Sequence, residues 1–317
     1  MTDLRSPTGG QGVVHTKALV ALSIVCFFWG TTWLASKEGV RHMPALQLAG
    51  IRQTLGGLCY VLYFTMRKAA WPRGREWGII SILGFLNFTL SNGLSTWGVN
   101  YISAGLGSII GAIVPLWLVL ITFLGARTVI QPKSIVGLLL GFAGICVIFY
   151  EHLRDLLNPQ FRFGILLSLA STLSWAVGTI YTKKHATGFN PYFSLGLQML
   201  FSGLILTLVT FSTGMRIPIA DIPWQSWSAI AYLVSIGSVV SFVAFLYALH
   251  HLPTEQSSIY SYINPVVAVA LGWFLFGEIV TPFIVAGALL TLYGVYLVNR
   301  AVLKAVLKND DALKQKT

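Results

Sequence analysis

Residues 17–36 read KALVALSIVCFFWGTTWLAS, twenty residues with a single charge at the first position. As an α-helix this stretch rises about 30 Å, the thickness of a bilayer's hydrocarbon core. It follows a polar leader and shows no A-x-A cleavage site, so it reads as a retained helix and not as a removed signal peptide. Apolar blocks of similar length recur, punctuated by Pro, Gly and charge, and predict helices near 17–36, 44–66, 77–98, 102–124, 133–150, 163–182, 191–213, 226–249, 253–276 and 281–299. Pro44, Pro132, Pro191, Pro253 and Pro282 each fall in a first helical turn, where the missing N–H costs nothing. The whole chain matches this reading, with 317 residues that are 55% hydrophobic and 10% charged. A soluble domain carries about a quarter charged residues. The ten-residue alternation of a membrane β-barrel is absent.

The net charge of +11 comes from basic residues scattered between apolar blocks, which argues against a nucleic-acid surface and for a topology signal. With ten spans, fifteen Lys and Arg residues fall on the side of the N-terminus and five on the other, with Arg52 inside a span. Both termini are therefore expected in the cytoplasm, in a bacterial inner membrane. Cys26, Cys59 and Cys146 lie inside apolar blocks without metal-ligand spacing, and no segment calls for a metal, a cofactor or an obligate protein partner.

The stretch FFWGTTWLASK (27–37) has a distant echo in LSWAVGTIYTKK (173–184), which aligns Trp29 with Trp175, Ser36 with Thr182 and Lys37 with Lys183. Further on, Pro115 aligns with Pro265, Pro132 with Pro282, Gly137 with Gly287 and Gly144 with Gly294. Five helices per copy is an odd number, so the second copy must enter the membrane inverted. The expected fold is an all-α membrane protein of ten transmembrane helices, built as two inverted five-helix repeats around a central cavity. Its parts are an N-terminal tail (1–16), a first repeat (17–150), a periplasmic linker (151–162), a second repeat (163–300) and a C-terminal tail (301–317).

The five-plus-five layout, the WG element, Arg52 in the second helix, the run INPVVAVALGWFLFGE (263–278) and the closing G-x₆-G pairs together resemble the EamA-type branch of the drug/metabolite transporter superfamily. The chain is also similar to bacterial aromatic amino-acid exporters of that branch, which implies efflux to the periplasm. The halves have diverged: Arg127 and Thr128 stand opposite Gly277 and Glu278, and Gln198 stands opposite Arg52.

Trp29 and Trp175 are the leading substrate-binding candidates, because the repeat relates them and an indole face stacks on aromatic molecules. Polar residues deep in a span face a wet cavity or a neighbouring helix. On that ground Asn87, Ser91 and Asn92 of the third span are candidates, as is the stripe Gln256, Tyr260 and Asn264 of the ninth. Trp33, Trp97 and Tyr181 are further aromatic candidates, and Trp71, Trp77, Trp224, Trp227 and Trp273 read as an interfacial belt. Pro115 and Pro265 predict matched hinges. Gly107 and Gly111 form a small-residue pair suited to close helix packing. Arg52 could snorkel, cap a neighbouring helix or meet a substrate carboxylate.

The expected function is alternating-access export of neutral, especially aromatic, amino acids as a uniporter, with the lipid bilayer and the small-molecule substrate as partners. The alternatives are a carrier of phosphorylated metabolites or nucleotide sugars, which would want several cavity-facing cations, and a membrane-embedded enzyme. Against the latter, the chain lacks H-E-x-x-H, G-x-S-x-G and clustered acids.

Overall fold

The structure, a computed structural model, describes residues 8–125, 132–151, 155–185, 188–252 and 260–314. Ten helical spans follow one another: α1 (Thr8–Val40), α2 (Ala45–Met66), α3 (Arg75–Gly98), α4 in two pieces (Ala104–Gly111 and Val114–Gly125), α5 (Pro132–Glu151), α6 (Pro159–Lys184), α7 (Pro191–Thr213), α8 (Trp224–His251), α9 (Tyr260–Phe276) and α10 (Pro282–Lys314). The described residues contain no strand. Leu62, Leu139, Leu166, Leu204, Leu208 and Leu289 are largely exposed on the outside of the bundle, a surface that only lipid can cover cheaply.

Local chemistry sets the helix starts. Pro132, Pro191 and Pro282 are first helical residues, while Pro44 stands one position earlier and accepts the Leu48 amide; Pro253 lies outside the described residues. Asn190 caps α7 by accepting from the Tyr192 and Phe193 amides, and Asn158 caps α6 by accepting from Gln160. At the far end of α7, Gly214 takes φ +69°, a left-handed cap open to glycine at little cost.

The inverted repeat is visible in how equivalent helices meet. The largest interfaces are α2 with α7 and α5 with α10, the second and fifth helices of each half paired with their own counterparts. Both pairs run antiparallel. Gly57 lies against Gly196 and Leu200, whereas Gly50, earlier in α2, lies against Leu206 and Thr207, later in α7. In the other pair Gly144 meets Gly287 and Thr291, and Gly294 meets Gly137 and Gly141. Of the matched glycines, Gly144, Gly287 and Gly294 are thus points where backbones touch, and a Cβ on any of these three would intrude on the partner's main chain.

A second symmetric feature has no trace in the hydropathy. The third helix of each half contains a π-helical segment, Gly84–Asn92 in α3 and Leu233–Val240 in α8. A π turn widens the helix and leaves main-chain acceptors to be satisfied from outside. In α8 the Tyr60 hydroxyl donates to the carbonyls of Ser238 and Val239 at 3.0 and 3.1 Å, and Ser241 Oγ donates to the Ile236 carbonyl at 2.7 Å. In α3 the Ser174 hydroxyl donates to the Leu86 carbonyl at 2.8 Å.

The two prolines expected to form matched hinges stand in different local structure. Helix α4 is interrupted at Ala112–Ile113, which places Pro115 in the first turn of its second piece, whereas Pro265 sits inside the continuous α9.

Candidate functional site

Trp29 on α1 and Trp175 on α6 converge on one cluster. Both pack, half-buried, against a buried group formed by Tyr60, Phe88, Leu195, Met199 and Phe242, drawn from α2, α3, α7 and α8. The Trp29 ring is surrounded by Phe242 at 5.1 Å, Phe245 at 5.0 Å and Tyr260 at 5.1 Å, two of them edge-on. Phe88 and Phe242 complete the group at 5.7 Å. Tyr260 and Asn264 belong to the same region. The Asn264 amide, oriented so that its nitrogen meets acceptors, donates to the carbonyls of Tyr260 and Cys26 at 3.0 and 2.8 Å and so ties α9 to α1. Gln256 lies outside the described residues.

Asn87, Ser91 and Asn92 of α3 all lie in its π-helical segment. Asn92 accepts from Gln53 Nε2 at 2.8 Å, while its carbonyl takes the hydroxyls of Ser95 and Thr96. Asn87 turns to α6, where its Oδ1 occupies the space a side chain on Gly178 would need and has no hydrogen-bond partner. Ser91 is buried. The repeat pairs this contact with one in the other half, where Thr32 of α1 fills the space beside Gly237 of α8.

Three further candidates sit elsewhere. Trp97, near the end of α3, packs edge-on to Phe163 at 5.2 Å, and Tyr181, near the end of α6, stacks on His185 at 4.1 Å. Trp33 lies against Gly107 and Gly111, so these glycines receive a ring and not, as their spacing suggested, a helix backbone. Trp71, Trp77, Trp224, Trp227 and Trp273 are exposed. A groove of about 520 Å³ between α4, α9 and α10 is lined throughout by apolar side chains, among them Val266, Trp273 and Leu289, and includes Pro265 alone of the candidates.

Arg52 is enclosed between α1, α2 and α8. It is 4% exposed and donates from Nε to Ser238 Oγ at 3.2 Å. Beside it, Gln53 is fully buried, a residue whose polarity within α2 was legible but whose contact with Asn92 was not. Sequence reasoning also missed a clasp at the end of the bundle where α1, α3 and α9 finish. Lys37 Nζ donates to the carbonyls of Val99 and Ile102 at 2.7 and 2.8 Å, and the Glu278 carboxylate accepts from the amides of Ala104 and Gly105 at 2.7 and 3.1 Å. A cation at the carboxyl end of α3 and an anion at the amino end of α4 both complement the helix dipoles. Arg127 and Thr128, which the repeat aligns with Gly277 and Glu278, lie outside the described residues.

The family model for the EamA-like transporter family matches this chain twice, over residues 16–150 and 162–300. The chain belongs to the EamA-like transporter family. As an EamA-like protein it is a multi-pass membrane transporter, and its relatives point away from an enzyme. It is 30% identical over 298 residues to the uncharacterized transporter YvbV of Bacillus subtilis (strain 168), covering 90% of this chain and 92% of that one. To the uncharacterized inner membrane transporter YedA of Escherichia coli (strain K12) it is 29% identical over 265 residues, covering 82% of each. A crystal structure with 16% sequence identity superposes with a TM-score of 0.62, over 92% of this chain and 99% of that one, and shares the fold.

Proposed function

We propose that this EamA-like transporter exports amino acids, aromatic and other neutral ones, from the cytoplasm by alternating access of its two inverted repeats. The observation that carries the reading is the meeting of Trp29 and Trp175, one from each repeat, on a single aromatic cluster. Inverted-repeat transporters bind substrate where the repeats meet, and a substrate held there can be passed from one half to the other as they rock. Rings already arranged around Trp29 can exchange one aromatic contact for another at little net cost.

Transport is proposed to be uniport, in an inner membrane with both termini cytoplasmic. Among the described residues, Asp and Glu stand at helix ends or in connections, as Glu38, Glu76, Asp155, Asp221 and Glu278 do. A proton-for-cation exchanger would use a carboxylate deep in the bundle. The test is uptake of labelled phenylalanine and alanine into liposomes containing the purified protein, with and without a pH gradient. Uptake down a substrate gradient alone is expected, and uptake only under a pH gradient refutes the uniport reading. Trp29→Ala should remove an aromatic term of about 0.5–1.5 kcal/mol, weakening phenylalanine more than alanine. An equal loss for both would assign Trp29 to packing.

A further inference from the structure

Arg52 carries a full positive charge into the interior and finds there, among the described residues, a single neutral hydrogen-bond partner, Ser238 Oγ. A guanidinium has five N–H donors in a planar fork, and taking it out of water without a counter-charge is strongly unfavourable. Two sources of compensation are missing among the described residues. Carboxylates do not provide it there, since the ion pairs among the described residues belong to Glu38, at the end of α1. Nor do the carbonyls of the π segment of α8: those of Ser238 and Val239 share the single Tyr60 hydroxyl proton, and that of Ile236 accepts from Ser241. The other repeat does not share the need. Its equivalent residue, Gln198, is neutral and is satisfied within its own helix by Ser194 at 3.0 Å. The charge therefore belongs to one half only, set against a π-helical segment, and such segments concentrate at functional sites.

We propose that Arg52 is the docking point for a carboxylate on the transported molecule, received between α2 and the π segment of α8. This rests on the amino-acid reading above and names the group of the substrate that is recognised. Gly237 stands beside the guanidinium edge: a Cβ on it would come 3.2 Å from Arg52 Nη2 and 2.8 Å from the Thr32 methyl. A carboxylate there takes two parallel N–H bonds from the fork, and the Ser238 hydroxyl remains beside it as a further donor. The charge that is costly in the empty protein thereby becomes a source of selectivity, because an amine or amide leaves it unpaired.

The test is thermal stabilisation of the purified full-length protein by three ligands of one shape: phenylalanine, 3-phenylpropionate (carboxylate without ammonium) and phenethylamine (ammonium without carboxylate). Phenylalanine and 3-phenylpropionate are expected to raise the melting temperature, and phenethylamine to leave it unchanged. In Arg52→Gln the response to 3-phenylpropionate should vanish and phenylalanine should need roughly tenfold more ligand or higher, as fits the loss of a charge-assisted contact. Arg52→Lys, which keeps the charge but not the fork, should fall between, and it serves if the glutamine variant does not fold. A glutamine variant that responds like the wild type overturns the Arg52 proposal and leaves the amino-acid reading standing. Stabilisation by 3-phenylpropionate but not phenylalanine keeps the carboxylate site and overturns the amino-acid reading. Equal responses to phenethylamine and 3-phenylpropionate overturn the site, and no response to any of the three overturns both.

Discussion

The Trp33 ring occupies the space that methyl groups on Gly107 and Gly111 would need. A Cβ on Gly107 would approach Trp33 Cζ3 to 2.9 Å, and one on Gly111 would approach Cζ2 to 2.9 Å. An indole wedged between α1 and α4 cannot retreat as a flexible side chain can, so the backbones must separate. Gly107→Ala and Gly111→Ala should each cost about 1–3 kcal/mol, seen as a lowered melting temperature. Gly78, a helical glycine in α3 with no neighbour within 4 Å of its would-be Cβ, is the control. Gly78→Ala should be neutral or gain up to about 1 kcal/mol, because alanine loses less backbone freedom on forming a helix. Equal losses at all three positions would mean that ring packing is not the cause. The glycines were conspicuous in the sequence, but their partner was not, since a G-x₃-G pair serves a ring and a helix equally well.

Helix ends and helix defects are where this bundle joins its halves. The turn between α3 and α4 is held from the first repeat by Lys37 and from the second by Glu278, one on carbonyls and one on amides. Glu278→Ala should leave the Ala104 and Gly105 amides without their acceptor and destabilise the protein by about 1–3 kcal/mol. Glu278→Gln, which retains an acceptor oxygen, should lose less. A melting temperature unchanged in Glu278→Ala would show that water or other groups replace the carboxylate without loss. From the sequence, Lys37 and Glu278 were only charges at span edges; their roles depend on a turn more than 170 positions away from Glu278 in the chain. The π segments were hidden for a different reason. Hydropathy reports whether a residue suits lipid or core, and an extra residue in one turn leaves that profile unaltered.

The molecule as a whole is two odd-numbered bundles of opposite sense, joined along α2–α7 and α5–α10. That arrangement makes orientation a testable property of the entire chain. In a background with Cys26, Cys59 and Cys146 replaced by serine, Arg73→Cys in the connection between α2 and α3 should react with a membrane-impermeant reagent only from the cytoplasm. Asp221→Cys in the connection between α7 and α8 should react only from the outside. The reverse pattern would overturn the orientation drawn from the Lys and Arg distribution.

The chain's own residues determined the solvent, the number of spans and the inverted duplication. Those follow from apolar block length, from charge counts and from residues such as Gly137 and Gly287 that recur at one period, and none of them requires knowing what touches what. Trp29 and Trp175 could also be named from the repeat alone. Tertiary structure decided everything that depends on a partner: that these two indoles share one cluster, that Asn92 is engaged by Gln53, that Pro115 follows a break while Pro265 does not, and that Arg52 meets the Ser238 hydroxyl. The physical reason is that periodicity gives the direction of a side chain around its own helix. What it meets there depends on the rotation and crossing of neighbouring helices, which packing across the whole bundle sets.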